Sequence, residues 1–341
     1  MNDINNILSS KAQISQYTHD TAEMPGSSVS TSHQAFEQLV SRAVQLPGQV
    51  PVGIVWPCEQ HALEGAMDAA QRNIIEPVLI GDKGTITSVA QASGIALDKA
   101  VFIDAATPAE AAQKATALVR EGRIKALMKG SLHTDIFMHA IVEADSGLRT
   151  NRRISHVFVL AVPGYESLVF VTDAAINIFP DLDVKRDIVQ NAIDLHNGLG
   201  LGVPRVAILS AVETVNSKIP GTVDAACLCK MAERGQIQGG VLDGPLAMDN
   251  AVSVEAAKIK NIVSPVAGRA QILVAPDLEA GNMLAKNMIF MSGADSAGIV
   301  LGASVPVLLT SRANSVQARP PAPYPWQNAA SLRVCSHSGW R

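Results

Sequence analysis

Charge is scarce in this chain. Asp, Glu, Lys and Arg make up only 17% of its 341 residues, with 27 basic side chains against 31 acidic ones. A net charge of −4 gives no overall positive field to draw in a nucleic-acid backbone, so polyanion binding is disfavoured as the main function. Small anionic ligands remain open, because a few placed arginines can serve them. Cysteine is scarcer still: Cys58, Cys227, Cys229 and Cys335 are too few for a disulfide scaffold, and the Cys227-Leu-Cys229 spacing is wrong for zinc. We expect reduced thiols. His133 and His139 are out of phase for helical metal ligation, and we infer no metal. Long apolar runs are also missing. The longest, Gly298 to Leu309, spans 12 residues and contains Pro306, well short of the roughly 20 that a membrane helix needs. The first twenty residues lack the basic-then-apolar order of a signal peptide, which leads us to expect a cytoplasmic protein with no membrane partner.

Apolar residues, by contrast, are abundant at 48%. A chain this long corresponds to roughly two domains and can hide about 75% of its unfolded surface. Residues 1–34 are polar and carry no sustained periodicity, so we expect a flexible arm. From Val50 onward, short β-branched runs alternate with helical patterns: VPVGIVW, PVLIGD, AVFID, IKALMKG, SHVFVLAV, SLVFVTD, RVAILSAVE, QGGVLDG and QILVAP, then AGIVLGA and VPVLLTS. Alternation of this kind predicts α/β architecture with parallel strands joined by crossover helices. A basic, turn-prone stretch at TNRRIS suits a hinge. If the closing strands return to the first sheet, 35–150 plus 297–315 form domain I and 151–296 form domain II, with a cleft between them. Ligands of open parallel sheets bind at the carboxyl ends of strands, so strand ends are where chemistry is sought.

Five strand ends stand out. IKALMKG runs into Ser131-Leu-His133-Thr134 and a helix, so Lys129, Gly130, Ser131 and Thr134 sit where free N–H groups and the helix dipole favour an anion. The same stretch is equally a helix capped by Ser131 or Thr134. LLTSRANS places Ser311 and Arg312 at the end of the last strand, and an arginine there can clamp phosphate through two parallel hydrogen bonds. Arg149, Arg152 and Arg153 form a denser basic group that a solvated linker would also explain. VLDGPLAMDN sets Asp243 and Asp249 around a turn, while Asp173 and Glu213 end comparable strands; each can hold a ligand hydroxyl, act as a base or simply cap a turn.

Taken in order, LMKGSLHTD, FVTDAAINIFPDL, PRVAILSAVETVN, GVLDGPLAMDNAVS, LVAPDLEAGNMLAK and GIVLGASVPVLLTSRANS closely resemble segments of the phosphate acetyltransferase and phosphate butyryltransferase family. The resemblance covers about Val50 to Ser315. It implies two α/β/α domains with mostly parallel sheets around an interdomain cleft, similar to the isocitrate and isopropylmalate dehydrogenases, commonly in a homodimer. It also implies acyl transfer between acyl-CoA and inorganic phosphate, with coenzyme A as a substrate and no bound cofactor. By the family pattern Ser311 and Arg312 lie at the reacting centre, and Lys129, Gly130, Ser131 and Thr134 match a second loop lining the cleft. Arg149 joins the phosphate- and CoA-binding set, and Asp243, Asn250 and Asn282 match the opposite wall.

The pattern is broken at one position. Butyryl-type members have Asp two residues after the arginine, where this chain has Asn314, and no Asp or Glu follows Asp295. Any general base comes from elsewhere in the chain. The alternative expectation is a catalytically weak relative that binds CoA or an acyl phosphate. Residues 316–341 also depart from the family, with four prolines from Pro320 to Pro325 and two of three tryptophans. We read this tail as the product of a frameshift that replaces a closing Ala-rich helix.

Overall fold

The computed structural model describes residues 31–309, with side chains described from Phe36 onward. Eleven strands form one continuous sheet in the order β3-β2-β1-β4-β11-β10-β5-β6-β9-β7-β8. The strands are β1 (Val50–Val55), β2 (Ile75–Gly81), β3 (Val101–Asp104), β4 (Ala126–Lys129), β5 (Ser155–Ala161), β6 (Val169–Thr172), β7 (Arg205–Leu209), β8 (Val241–Leu246), β9 (Ile272–Val274), β10 (Asp295–Leu301) and β11 (Val307–Leu308). Ten helices accompany them: α1 (Thr31–Gln45), α2 (Gln60–Gln71), α3 (Lys83–Ser93), α4 (Pro108–Arg120), α5 (Thr134–Val142), α6 (Leu182–Gly198), α7 (Pro220–Glu233), α8 (Met248–Val252), α9 (Val254–Ile259) and α10 (Leu278–Phe290).

Every strand expected from the β-branched runs is present, and most pairs are parallel. Three central pairings differ: β10 is antiparallel to β11 and β5, and β5 is antiparallel to β6. Short connections allow the β5–β6 and β10–β11 pairs, whereas parallel neighbours need a crossover of a dozen residues or more; β5 and β10 meet from distant parts of the chain. The closing strands return to the first half, where Leu308 aligns with Met128 of β4. Two parallel blocks therefore share one sheet, β3-β2-β1-β4-β11 and β6-β9-β7-β8, with β10 and β5 between them. At the front, Thr31–Gln34, expected in the arm, form the first turn of α1. Phe36, Leu39, Val40 and Ala43 explain that helix: their helical spacing puts all four in the core.

Alternation along the strands sorts side chains to two faces. One face carries a single apolar layer, in which Val52 and Ile54 of β1, Ala297 and Ile299 of β10, and Val157 and Val159 of β5 belong to one cluster with α1, α2, α3, α6 and α7. The other face is split. Val55, Leu127, Val300 and Val307 pack with α4 and α5 in the first half, while Leu160, Val171, Leu273 and Ala285 pack with α8 and α10 in the second. Between these two clusters the same face presents Ser296 and Gly298 of β10 and His156 of β5.

Candidate active site

Chain direction reverses at β1. From β1 the chain steps outward to β2 and β3, then returns to lay β4 on the other side of β1. The loops leaving β1 and β4 consequently diverge to opposite faces, and the crevice between them is the topological switch point where open α/β sheets take ligands. Lys129, Gly130, Ser131 and Thr134 all stand on one lip of it. Gly130 has to be glycine: a Cβ there would collide with the carbonyl oxygens of Val55 and Trp56. The close approach lets the Gly130 N–H donate to Val55 O at 2.8 Å and the Ser131 N–H donate to Trp56 O at 2.9 Å.

The side chains of this lip are engaged within the fold. Ser131 Oγ donates to Trp56 O at 2.7 Å and accepts from the Cys58 N–H at 3.1 Å, which locks the β4–α5 loop to the β1–α2 loop. A hydroxyl has one proton, and this one is spent on Trp56. The buried Lys129 ammonium turns back onto its own loop, donating to Gly130 O at 3.0 Å and Leu132 O at 3.1 Å. Thr134 is exposed at the first position of α5. The N-cap of α5 is His133, not Ser131 or Thr134, and it makes no side-chain cap bond; α2 likewise starts after Glu59 without one. On the flanks of the same block Asp82 caps α3 and Thr107 caps α4. First-turn N–H groups lack intrahelical acceptors, so the crevice is bordered by two helix ends whose donors no cap side chain takes up.

Trp56, Pro57 and Cys58, which form the opposite lip, were not singled out in the sequence. The available signal was the run of β1 straight into Pro57 and a helix. Burial pushes the Cys58 thiol up to about 11, so it is no thiolate at neutral pH.

The second block ends differently. Asp243 lies within β8, and its Oδ1 accepts from the Gly244 N–H at 2.8 Å. Asn250, fully buried in α8, donates through Nδ2 to Glu213, while its Oδ1 is buried without a partner. Lys260 donates to Glu213 at 2.6 Å and lies 3.5 Å from Asp249; its hydrogen bond is the main reason the Glu213 carboxyl is held below the usual carboxylate range. β8 stands seven strand positions from β4. At about 4.8 Å per strand that is on the order of 33 Å across the sheet, so Asp243 and Asn250 do not adjoin the β1–β4 crevice.

Asn282 of α10 lies nearer the middle. Its Nδ2 donates to Ala174 O at 2.9 Å, and so it holds the loop that follows β6. In that loop the Asp173 carboxylate gathers the N–H groups of Ala175, Ile176 and Asn177 and the Asn177 amide, all within 3.2 Å. Asn177 also donates to Ile154 O and accepts from Arg153 Nε at 3.0 Å. Ile176 crosses to the first half, packing against the cluster that borders Ile136 and Met138 of α5. Asn177 was missed in the sequence, since a buried amide carries no pattern. Arg149 is exposed and bridges Ala303, and Arg152 pairs with Asp194. A polar groove of about 600 Å³ along α6 includes Arg152, Arg186, Asp187 and Asp194, but its charges pair with one another and it lies off the strand ends. Ser311, Arg312, Asn314 and the tail lie outside the described residues. Among the described residues no three His, Cys, Asp or Glu side chains converge as metal ligands would.

Comparison with known proteins gives the family and the fold. The family described as Phosphate acetyl/butaryl transferase matches residues 108–319. The chain belongs to that family. A phosphate acetyltransferase of Rhizobium meliloti is 61% identical over 266 residues, covering 78% of this chain and 84% of the relative. A phosphate butyryltransferase of Clostridium beijerinckii is 39% identical over 284 residues, covering 83% and 94%. Among solved structures, a branched-chain phosphotransacylase from Enterococcus faecalis V583 superposes with a TM-score of 0.73 at 27% identity, over 85% of this chain and 99% of that one. The protein is thus an acyltransferase with the mixed α/β fold of the phosphotransacylases.

Proposed function

We propose that phosphate is bound in the β1–β4 crevice, between the N-termini of α2 and α5, and that it exchanges an acyl group with coenzyme A there. The observation that carries this is the pair of helix ends without side-chain caps at the switch point, beside capped neighbours. Backbone donors can hold the phosphate oxygens in place of the committed Ser131 hydroxyl. Phosphate is itself an anion, and exposed Glu59 and Asp135 flank the two ends, so its binding calls for a cation. β11 ends beside β4, and Arg312, four residues beyond Leu308, is our choice for that cation, with Ser311 near the sulfur.

The reaction needs no covalent enzyme intermediate. A phosphate oxygen attacks the thioester carbonyl carbon, the C–S bond breaks, and CoA leaves as a thiolate that takes up a proton. Negative charge grows on the carbonyl oxygen, where each well-placed donor contributes about 3 kcal/mol. In reverse, a CoA thiol of pKa near 8.5 gains from a base. Asn314 cannot be that base.

We place the cleft between residues 35–150 with 297–315 and residues 151–296. The two blocks run oppositely along the ladder. A twist of about 20–25° per strand pair, accumulated over the five pairs from β4 to β9, turns the second block by roughly 110° and swings its carboxyl ends toward the first. Ile176, packed across that boundary, supports the same placement. Asn282 then belongs to a wall next to the 173–177 loop, and Asp243 and Asn250 to its outer end, within reach of an extended CoA. The reading carries with it a cytoplasmic homodimer without a resident cofactor; no described helix is long and apolar enough to cross a membrane. Incubation with acetyl-CoA or butyryl-CoA and phosphate should release thiol in a phosphate-dependent way. Binding of CoA without turnover would favour the weak relative instead.

A further inference from the structure

His156 occupies the gap between the two apolar clusters on the split face. Its ring lies along Gly298 of β10, where a Cβ would come within 2.9 Å of Nε2, and it meets Phe158 edge-on at 4.5 Å. The ring is 2% exposed, and its Nδ1 is buried without a hydrogen-bond partner. Asp173 is the charged group beside it, but the four N–H groups already on that carboxylate fill its four lone-pair positions, which explains why no bond to the imidazole forms. A buried nitrogen left open in this way costs stability, and native cores seldom retain one without a use. An apolar residue would fill the same slot more cheaply. The ring lies beside Gly298, next to which the carbonyl of Leu309 also stands, and it feels the charge of Asp173 in the 173–177 loop.

Burial pushes the imidazole down to about 4, so at neutral pH it is uncharged. A base that weak is poorly matched to a thiol near 8.5, whereas a neutral imidazole is a competent N–H donor that needs no change of protonation. We propose that Nδ1–H of His156 donates to the carbonyl oxygen of the bound acyl group, making it a catalytic residue of the transfer. This rests on the acyl-transfer reading of the cleft above. The nitrogen is enclosed, so the acyl group reaches it only when the 173–177 loop gives way, and the bond then forms away from water.

Asn retains a donor near the Nδ1 position, Gln moves it toward Nε2, and Phe keeps only the ring. Thiol release should fall about 10²–10³-fold in His156→Phe and His156→Gln with the acyl-CoA KM little changed, while His156→Asn stays within about tenfold of the parent. The Tm of His156→Phe should not fall. A second readout is the imidazole 15N resonances of His-labelled protein, in which acetyl-CoA should move Nδ1. His156→Phe turning over within about threefold of the parent would overturn the proposal, as would acetyl-CoA binding that leaves Nδ1 unmoved. A parent chain that binds acetyl-CoA and moves Nδ1 without turnover would support the contact while removing the acyl-transfer reading.

Discussion

The two parallel blocks finish their strands in contrasting ways. At the β1–β4 crevice, polar side chains are taken up by the loops, Ser131 by Trp56 of the facing loop and Lys129 by Gly130 and Leu132 of its own, and the helix ends are left to backbone donors. At the ends of β7 and β8 the charges answer one another, Glu213 with Lys260 and Asn250, and Lys260 with Asp249. The difference teaches where a small anion has room. The helices after β7 and β8 also start without a side-chain cap, at Ile219 and Ala247, but there a carboxylate–ammonium network already fills the strand ends, while in the first block the helix ends offer fixed donors and a favourable dipole.

The largest expected effect concerns the cation proposed for the first block. Arg312→Ala should raise the phosphate requirement and lower turnover by about 10²-fold or more, in line with loss of a charge-assisted bidentate contact. Thiol-release kinetics against phosphate concentration check it, and unchanged kinetics would leave the crevice without its cation.

Next comes the joint between the blocks. Burial holds both His156 and His196 down to about 4; His196 Nδ1–H also donates to Gly202 O, a bond that opposes the shift. Both folded values lie below the unfolded value near 6.5, so the unfolded chain binds more protons in between. Stability is full above about 6.5 and is lost as pH falls toward 4, by roughly 3 kcal/mol for each ring. Urea titrations across that window should show the loss; a flat profile would mean that the rings are less enclosed than described.

Gly130→Ala tests the lip itself. The methyl meets two backbone carbonyls that cannot swing aside, so about 1–3 kcal/mol of stability should go, together with much of the activity. The smallest effect is expected in the second block, where Lys260→Ala removes a partly exposed, solvent-screened pair and should leave stability almost unchanged. Its phosphate KM should match the parent's. A larger rise there than in the crevice variants would invert the contrast between the blocks.

Much of the fold is legible in the sequence because β-branched runs and helical spacing are local signals. Strand direction is not local. SHVFVLAV and AGIVLGA read like any buried strand, and only their pairing makes β5 and β10 antiparallel. The 129–134 loop is visible as a strand running into a helix, but its partner at Trp56–Cys58 emerges only once strand order sets β4 beside β1. The outer position of Asp243 is hidden for the same reason. Ser131 shows a further limit: the sequence marks a hydroxyl suited to phosphate, and the structure shows its proton already used.

The central claim is that phosphate meets the N-terminus of α5, and Thr134→Asp tests it most directly. The residue is exposed, and an acidic side chain in the first turn suits the helix, so Tm should hold or rise slightly. The phosphate KM should nevertheless climb about tenfold or more while the acyl-CoA KM stays within about threefold of the parent. An unchanged phosphate KM in a folded, active Thr134→Asp enzyme would contradict the account.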